Sequence, residues 1–345
     1  MIAAMLNELR LSAKSFLHPI ETIYFGGGTP SLLSTEEIKK ILDEVRATFM
    51  HDENAEITLE ANPDDITAEK LGSWKAAGIN RFSVGIQSFK QDDLLWMNRA
   101  HNAEQAEHCI TLIKAAGFNN FSADLIYGTP ILCDEDWKSN VEKMIALAVP
   151  HLSCYALTVE NKTALQKMIA LKKVNDVDSE KQASQFLQLM DWLAVAGYEH
   201  YEISNFAKPG FKSKHNSSYW QRKPYLGIGP SAHSFDGKRI RHWNVSNNAA
   251  YISSLQKNII PFQQEKLSAN QQLNEYIMIS LRTQEGIDLS FVTEKFGKEK
   301  MEKLQLESRK YIDNKKLQAI NNSLNLTREG KLFADGIAAY LFFEN

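Results

Sequence analysis

Cysteine is scarce in this chain: Cys109, Cys133 and Cys154 are the only three in 345 residues. Three thiols separated by 24 and 21 residues give no disulfide framework. Charge of one sign is also missing, with 39 Lys and Arg against 42 Asp and Glu and a net charge of −3. No basic excess directs the chain to nucleic acid, so no nucleic-acid partner is expected. No apolar run is long enough to span a bilayer, so no stable membrane insertion is expected either. The opening MIAAMLNELRLSAKSFLHPIE interleaves its apolar residues with Asn7, Glu8, Arg10 and Lys14. That pattern excludes a signal peptide and fits an amphipathic helix, and a cytoplasmic protein is expected. Neither the GxxxxGK[ST] loop of nucleotide hydrolases nor the GxGxxG turn of dinucleotide folds is present.

What the chain does have is a 43% hydrophobic composition, ample for a large core, and an alternating pattern. Candidate strands fall at 22–25, 56–61, 81–86, 121–127 and 152–157, each followed by a helical pattern. Ser34-Thr-Glu-Glu37 is a capping box before a helix over 39–49. A second helix opens at Thr67 and stops at Gly78; a third covers 102–116 and stops at Gly117; a fourth covers 135–149 before Pro150. Strands alternating with single helices imply parallel pairing, in a βα barrel or a doubly wound sheet. Beyond Leu157 the spacing predicts a long helix over 179–196, a strand over 201–206, and a Gly-, Pro- and aromatic-rich loop over 208–236. From about Gln271 the chain reads as mostly helical, with a hairpin over 317–326 and a last helix from Thr327, compatible with a winged helix. Acidic and basic residues mix over 298–316, which suits a solvated face better than DNA. The expected domains are 1–206, a connecting region over 207–270, and an accessory domain over 271–345.

In parallel βα folds ligands sit at the C-terminal ends of the strands. Here those ends carry Gly26-Gly27-Gly28-Thr29-Pro30, Glu60, Gln87 and Asp124, with Arg99 shortly after the third strand. Glu60 and Asp124 follow apolar residues, where a carboxylate is costly unless paired. Each could cap a helix or pair with Arg81 or Arg99; each could instead accept hydrogen bonds from a ligand. Taken together they favour a polar small-molecule site. The three glycines are either a tight turn or backbone brought close to a ligand, and three in a row favour the ligand.

FGGGTP, LEANPDD, SVGIQSF, NRAH and DLIYGTP, in this order, resemble the radical S-adenosylmethionine proteins of the anaerobic coproporphyrinogen III oxidase group. The segments SCYALTVE, YEISNF, HNSSYW and GIGPSAHS resemble in particular the HemW-type heme chaperones of that group. The resemblance runs from about Ile20 to the C-terminus. It implies a partial parallel (β/α)6 barrel, here lacking its first strand, plus a small, mostly helical, winged-helix-like C-terminal domain. It implies S-adenosylmethionine held by Gly27, Gly28, Thr29, Glu60, Gln87, Arg99 and Asp124. Within HNxxYW it implies heme ligation by His215, with His233 a second candidate; neutral imidazole suits heme iron. A lone histidine is also often a hydrogen-bonded structural group, and Tyr219 and Trp220 could pack on a porphyrin or anchor their loop.

The family's [4Fe–4S] cluster needs a CxxxCxxC motif, since cluster iron is held by thiolates. This chain has none, and all three cysteines read as small buried apolar residues. The cluster is therefore expected for the family but not for these 345 residues, and oxidoreductase activity is not expected of them. Without a preceding strand, residues 22–25 are expected to form an exposed sheet edge. The resemblance points to a heme chaperone with an unknown heme acceptor protein as partner. The alternatives are an oxygen-independent coproporphyrinogen III oxidase of porphyrin biosynthesis, and a truncated or degenerate paralogue.

Overall fold

A computed structural model describes residues 1–344. The elements run α1 (Ile2–Ser12), β1 (Ile20–Phe25), α2 (Thr35–Thr48), β2 (His51–Ala61), α3 (Ala68–Ala77), β3 (Arg81–Gln87), α4 (Gln91–Trp96), α5 (Ala103–Ala115), β4 (Phe121–Tyr127), α6 (Asp134–Ala146) and β5 (His151–Ala156). Then come α7 (Ala164–Ala170), α8 (Ser179–Val195), β6 (Glu199–Glu202), β7 (Asn205–Ala207), α9 (Lys214–Trp220), β8 (His233–Phe235), β9 (Ile240–Asn244), α10 (Asn248–Leu255) and β10 (Phe262–Lys266). The C-terminal part holds α11 (Ala269–Arg282), β11 (Ile287–Asp288), α12 (Leu289–Phe296), α13 (Lys298–Asp313), β12 (Leu317–Ile320), β13 (Ser323–Leu326) and α14 (Ala334–Tyr340). Two compact units emerge: Met1–Ile23, Ser34–Glu56 and Lys214–Asn345 in one, Tyr24–Leu33 and Ile57–Ser213 in the other.

The main sheet has the order β1-β2-β3-β4-β5-β7-β6. From β2 to β5 neighbouring strands pair in parallel, and each connection contains helix, as parallel pairing requires. Local chemistry sets the helix ends. Ser34 and Glu37 form a reciprocal capping box on α2, and Asn102 and Gln105 form one on α5. Gly78 ends α3 at φ +110°, in the left-handed region that glycine tolerates. In the second unit the core-facing strand positions include Leu59, Phe82, Val84, Ile86 and Leu125, all buried. Trp74 of α3, Ile110 of α5, Trp137 of α6 and Leu189 of α8 are also fully buried.

Several expectations are corrected. The sheet is not wholly parallel: the strand expected over 201–206 is a hairpin, β6–β7, whose second strand pairs antiparallel with both β5 and β6. The cause is Glu202, whose Oε1 accepts the Ser204 N–H at 3.0 Å and a bond from the Asn205 amide, closing a turn. The segment over 208–236 is not all loop. It contains α9 and β8, and β8 belongs to a three-stranded antiparallel sheet in the order β10-β9-β8. Helix α9 starts where the Glu56 carboxylate accepts the N–H groups of Lys214 and His215 at 3.2 and 3.1 Å. An acid placed 158 residues upstream satisfies those orphan donors.

The C-terminal hairpin is present as β12–β13, within a sheet ordered β11-β13-β12. The last helix does not begin at Thr327: a 3-10 turn, Gly330–Phe333, precedes α14. Helix α6 ends at Ala146, short of Pro150. Strand β1 does end the sheet order, but only Glu21 of its six residues is exposed, so it is less open than an isolated edge.

Candidate functional site

The strand-end residues converge in the second unit on a cavity of about 210 Å³. Gly28, Thr29, Glu60, Gln87, Arg99 and Asp124 line it, joined by Pro30, Ser31, Ala61, Asn62, Ser83 and Gly85. Six of the seven residues assigned to S-adenosylmethionine are thus together. The exception, Gly27, instead donates its N–H to Glu60 Oε2 at 3.2 Å.

The glycine run has structural reasons beyond ligand approach. Gly27 and Gly28 sit at φ +75° and +71°, where a side chain is strained. A Cβ on Gly26 would lie 2.7 Å from the Tyr24 ring and 3.0 Å from Glu60 Oε1. The run therefore lets Tyr24 and Glu60 meet: the Tyr24 hydroxyl donates to Glu60 Oε1 at 2.7 Å. Burial and the adjacent Glu60 charge raise the Tyr24 pKa, so it remains a donor. With the Gly27 N–H on its other oxygen, Glu60 is held in one orientation.

Strand β3 forms the floor through its alternation. Phe82, Val84 and Ile86 are buried on one face, while Ser83, Gly85 and Gln87 line the cavity. A Cβ on Gly85 would come within 2.8 Å of Gln87 Nε2 and 3.2 Å of Arg99 Nη2, so this glycine makes room for both. Asn98, at φ +54°, turns the chain after α4 and delivers Arg99. Arg99 Nη2 donates to Asn62 Oδ1 at 2.8 Å and to Gly85 O at 3.3 Å. Its Nε is buried with no hydrogen-bond partner among the described residues.

Asp124 projects from β4. Burial pushes its carboxyl up to about 7, the Ser153 hydroxyl opposes this, the Glu60 charge adds to it, and Arg81 and Arg99 pull it back. Its Oδ1 is buried without a hydrogen-bond partner among the described residues. The cavity thus offers carboxylate acceptors, a guanidinium with a spare donor, and an amide on Gln87. That donor set fits a polar zwitterion with hydroxyl groups. Sequence reasoning missed Ser83 and Gly85, although the period-2 pattern from Arg81 to Gln87 carried the signal.

The cysteines do not fit an iron–sulfur cluster. Cys109 in α5 and Cys154 in β5 are buried, and burial raises both thiols, Cys109 to about 12. Cys133 corrects the expectation of burial: it is exposed, and its Sγ caps α6 by accepting the Asp136 N–H at 3.4 Å. Among the described residues no three Cys, His, Asp or Glu side chains gather for a metal. No helix among them is long and apolar enough to cross a membrane.

His215 lies in the first unit, on α9. Its Nδ1 is 3.0 Å from Thr22 Oγ1, and its Nε2 is 3.1 Å from the Tyr219 hydroxyl. The Trp220 ring lies under the Arg282 guanidinium, 5.7 Å away. His233 is exposed and stacks on Trp243 with ring centroids 6.0 Å apart. On α13, Lys298 pairs with Glu302 at 3.3 Å, both side chains being exposed.

Residues 6–144 match the Radical SAM superfamily, and residues 267–333 match the HemN C-terminal domain. The sheet is therefore that of a radical S-adenosylmethionine protein, and the C-terminal helices belong to a HemN-type C-terminal domain. The Escherichia coli coproporphyrinogen III oxidase HemN, itself a radical SAM enzyme, superposes with a TM-score of 0.82 over 99% of this chain and 82% of its own, at 20% identity. That likeness establishes the shared fold. In sequence, the heme chaperone HemW of Lactococcus lactis is 34% identical over 92% of this chain and 83% of its own length. HemW of Bacillus subtilis is 32% identical over 96% and 87%, and that of Mycobacterium tuberculosis 33% over 99% and 85%. The chain belongs to the HemW family of heme chaperones. Its superfamily implies S-adenosylmethionine and a [4Fe–4S] cluster as cofactors.

Proposed function

We propose that this protein binds heme and passes it to an acceptor protein, and that its barrel cavity holds S-adenosylmethionine. The observation that carries the second part is the convergence of Gly28, Thr29, Glu60, Gln87, Arg99 and Asp124 on one polar cavity. Gly27 acts through Glu60, which it orients. The carboxylates suit the ligand's ribose hydroxyls and ammonium, and Arg99 suits its carboxylate. The three cysteines offer no cluster site, so no radical step is assigned to these residues. Heme falls to the region over 207–270 that carries His215-Asn-Ser-Ser-Tyr-Trp220 and Gly227-Ile-Gly-Pro-Ser-Ala-His233.

Isothermal titration with S-adenosylmethionine tests the cavity. Saturable 1:1 binding that weakens about tenfold or more in Glu60→Gln and in Arg99→Ala is expected. Equal affinity in the wild type and both variants refutes the assignment.

A further inference from the structure

Residues 157–178 join β5 to α8 and hold only the short helix α7. Connections between strands and helices in such folds usually take about 2–6 residues, and much longer ones serve mainly as lids and binding loops. Strand β5 runs parallel to β4, so this segment leaves the sheet at the end where the cavity lies. None of its residues is buried.

The two feet of the segment are fixed beside the cavity wall. At the first, the Leu157 N–H donates to Tyr127 O at 2.9 Å, and Leu157 O accepts the Gln182 amide at 2.8 Å. At the second, the Asp178 carboxylate accepts the N–H groups of Glu180 and Lys181 and so caps α8. Lys181 Nζ then donates to Thr129 O at 3.0 Å. Tyr127 ends β4, the strand that carries Asp124, and Thr129 follows it. Between the feet the ties stop. Among the described residues, every hydrogen bond made by residues 158–177 stays within 156–178. Two lysines in the left-handed region bracket α7, Lys162 at φ +66° and Lys172 at φ +55°. A residue with a Cβ is strained there, and hinges are residues at element ends that absorb such angles.

The segment also leaves apolar side chains in water. Leu165, Met168 and Ile169 recur at i, i+3 and i+4 and share one face of α7. Met168 is 40% exposed and Leu171 67%. The strand ends beside the cavity show matching apolar groups. Ile131, next to the second foot, is 47% exposed, and Tyr155 is 43% exposed. Tyr155 lies two residues beyond Ser153 on β5, and so on the face from which the Ser153 hydroxyl reaches Asp124. Burying these two apolar sets against each other removes both from water.

We propose that residues 158–177 are a lid. Helix α7 swings on Lys162 and Lys172 and lays Met168 and Leu171 over Tyr155 and Ile131 once a ligand fills the strand-end cavity. Closure excludes water from the cavity and slows the ligand's escape. This rests on the S-adenosylmethionine reading above. Trypsin cuts after lysine, and Lys162, Lys167, Lys172 and Lys173 are all exposed in the segment. The full chain is digested with and without saturating S-adenosylmethionine, with cleavage followed by mass spectrometry and binding by calorimetry. Ligand is expected to slow cleavage at these four lysines about tenfold or more, and to leave cleavage at the exposed Lys238 unchanged. The double variant Met168→Gln, Leu171→Gln changes only exposed positions, so its melting temperature should match the wild type. It is expected to lose most of the protection and to release S-adenosylmethionine about tenfold faster. Equal cleavage with and without ligand, when calorimetry shows S-adenosylmethionine bound, overturns the lid and leaves the cavity assignment standing. Protection and release unchanged in the double variant overturn the apolar closure. A chain that binds no S-adenosylmethionine overturns the cavity reading and the lid together.

Discussion

Replacing Asp124 by Asn removes a proton site whose cost can be worked from the structure. Burial, aided by Glu60, raises the Asp124 carboxyl from its ordinary value of 3.8 to about 7. In the unfolded chain the group ionises near the ordinary value, so between pH 4 and 7 the folded protein holds a proton that the unfolded chain has released. Stability then falls as pH rises, because the folded state binds more protons. At about 1.4 kcal/mol for each pH interval, the loss amounts to about 3–4 kcal/mol between pH 4.5 and 8. The amide of Asp124→Asn cannot titrate and escapes this loss. Urea unfolding of wild type and Asp124→Asn across that range isolates the effect, since the other titrating groups are common to both. The difference in unfolding free energy should move by about 3–4 kcal/mol in the variant's favour as pH rises. A difference constant to within about 0.5 kcal/mol would refute the placement of this carboxyl in a low-dielectric site beside Glu60.

Gly85→Ala pushes on the movable ends of Gln87 and Arg99 rather than on backbone. Thermal melting should therefore shift little while calorimetry shows S-adenosylmethionine affinity reduced about tenfold; an unchanged affinity would contradict the cavity geometry. Glu8 on α1 is buried and accepts bonds from the Gly229 N–H at 2.9 Å, the Asn244 amide at 2.6 Å and the Tyr251 hydroxyl. Glu8→Ala leaves those donors unmatched and should lower stability by about 3 kcal/mol, with faster proteolysis at α1, whereas an unshifted denaturant midpoint would count against the buried contact. A thiol reagent should modify Cys133 alone in the native protein, and all three cysteines only after unfolding; native labelling of Cys109 or Cys154 would contradict their burial.

Local chemistry was legible wherever partners lie close in sequence. The capping box at Ser34, the helix opening at Asn102 and the stop at Gly78 were read from short-range spacing. Glu60, Gln87, Arg99 and Asp124 were readable because a parallel βα order puts strand ends on one side. What stayed hidden depends on distant partners. The Tyr24 hydroxyl on Glu60 spans 36 residues, and the Glu56 carboxylate that starts α9 acts across 158. No local pattern marks either. The β6–β7 turn was misread because Tyr201 to Phe206 has strand composition, while the bonds that Glu202 accepts from Ser204 and Asn205 break it. Cys133 was misread because a thiol at a helix start can serve as a cap, a use that the residue's general preference for burial conceals. Three glycines in a row suggested ligand approach, yet two are set by positive φ and the third by the Tyr24–Glu60 contact.

Whether this chain carries heme is tested most directly by equilibrium titration of the purified full chain with hemin, read at the Soret band. Saturable binding of one heme per chain with an imidazole-ligated spectrum is predicted, undiminished in Arg99→Ala, whose substitution falls in the strand-end cavity. Non-saturable uptake with the spectrum of free hemin would contradict it.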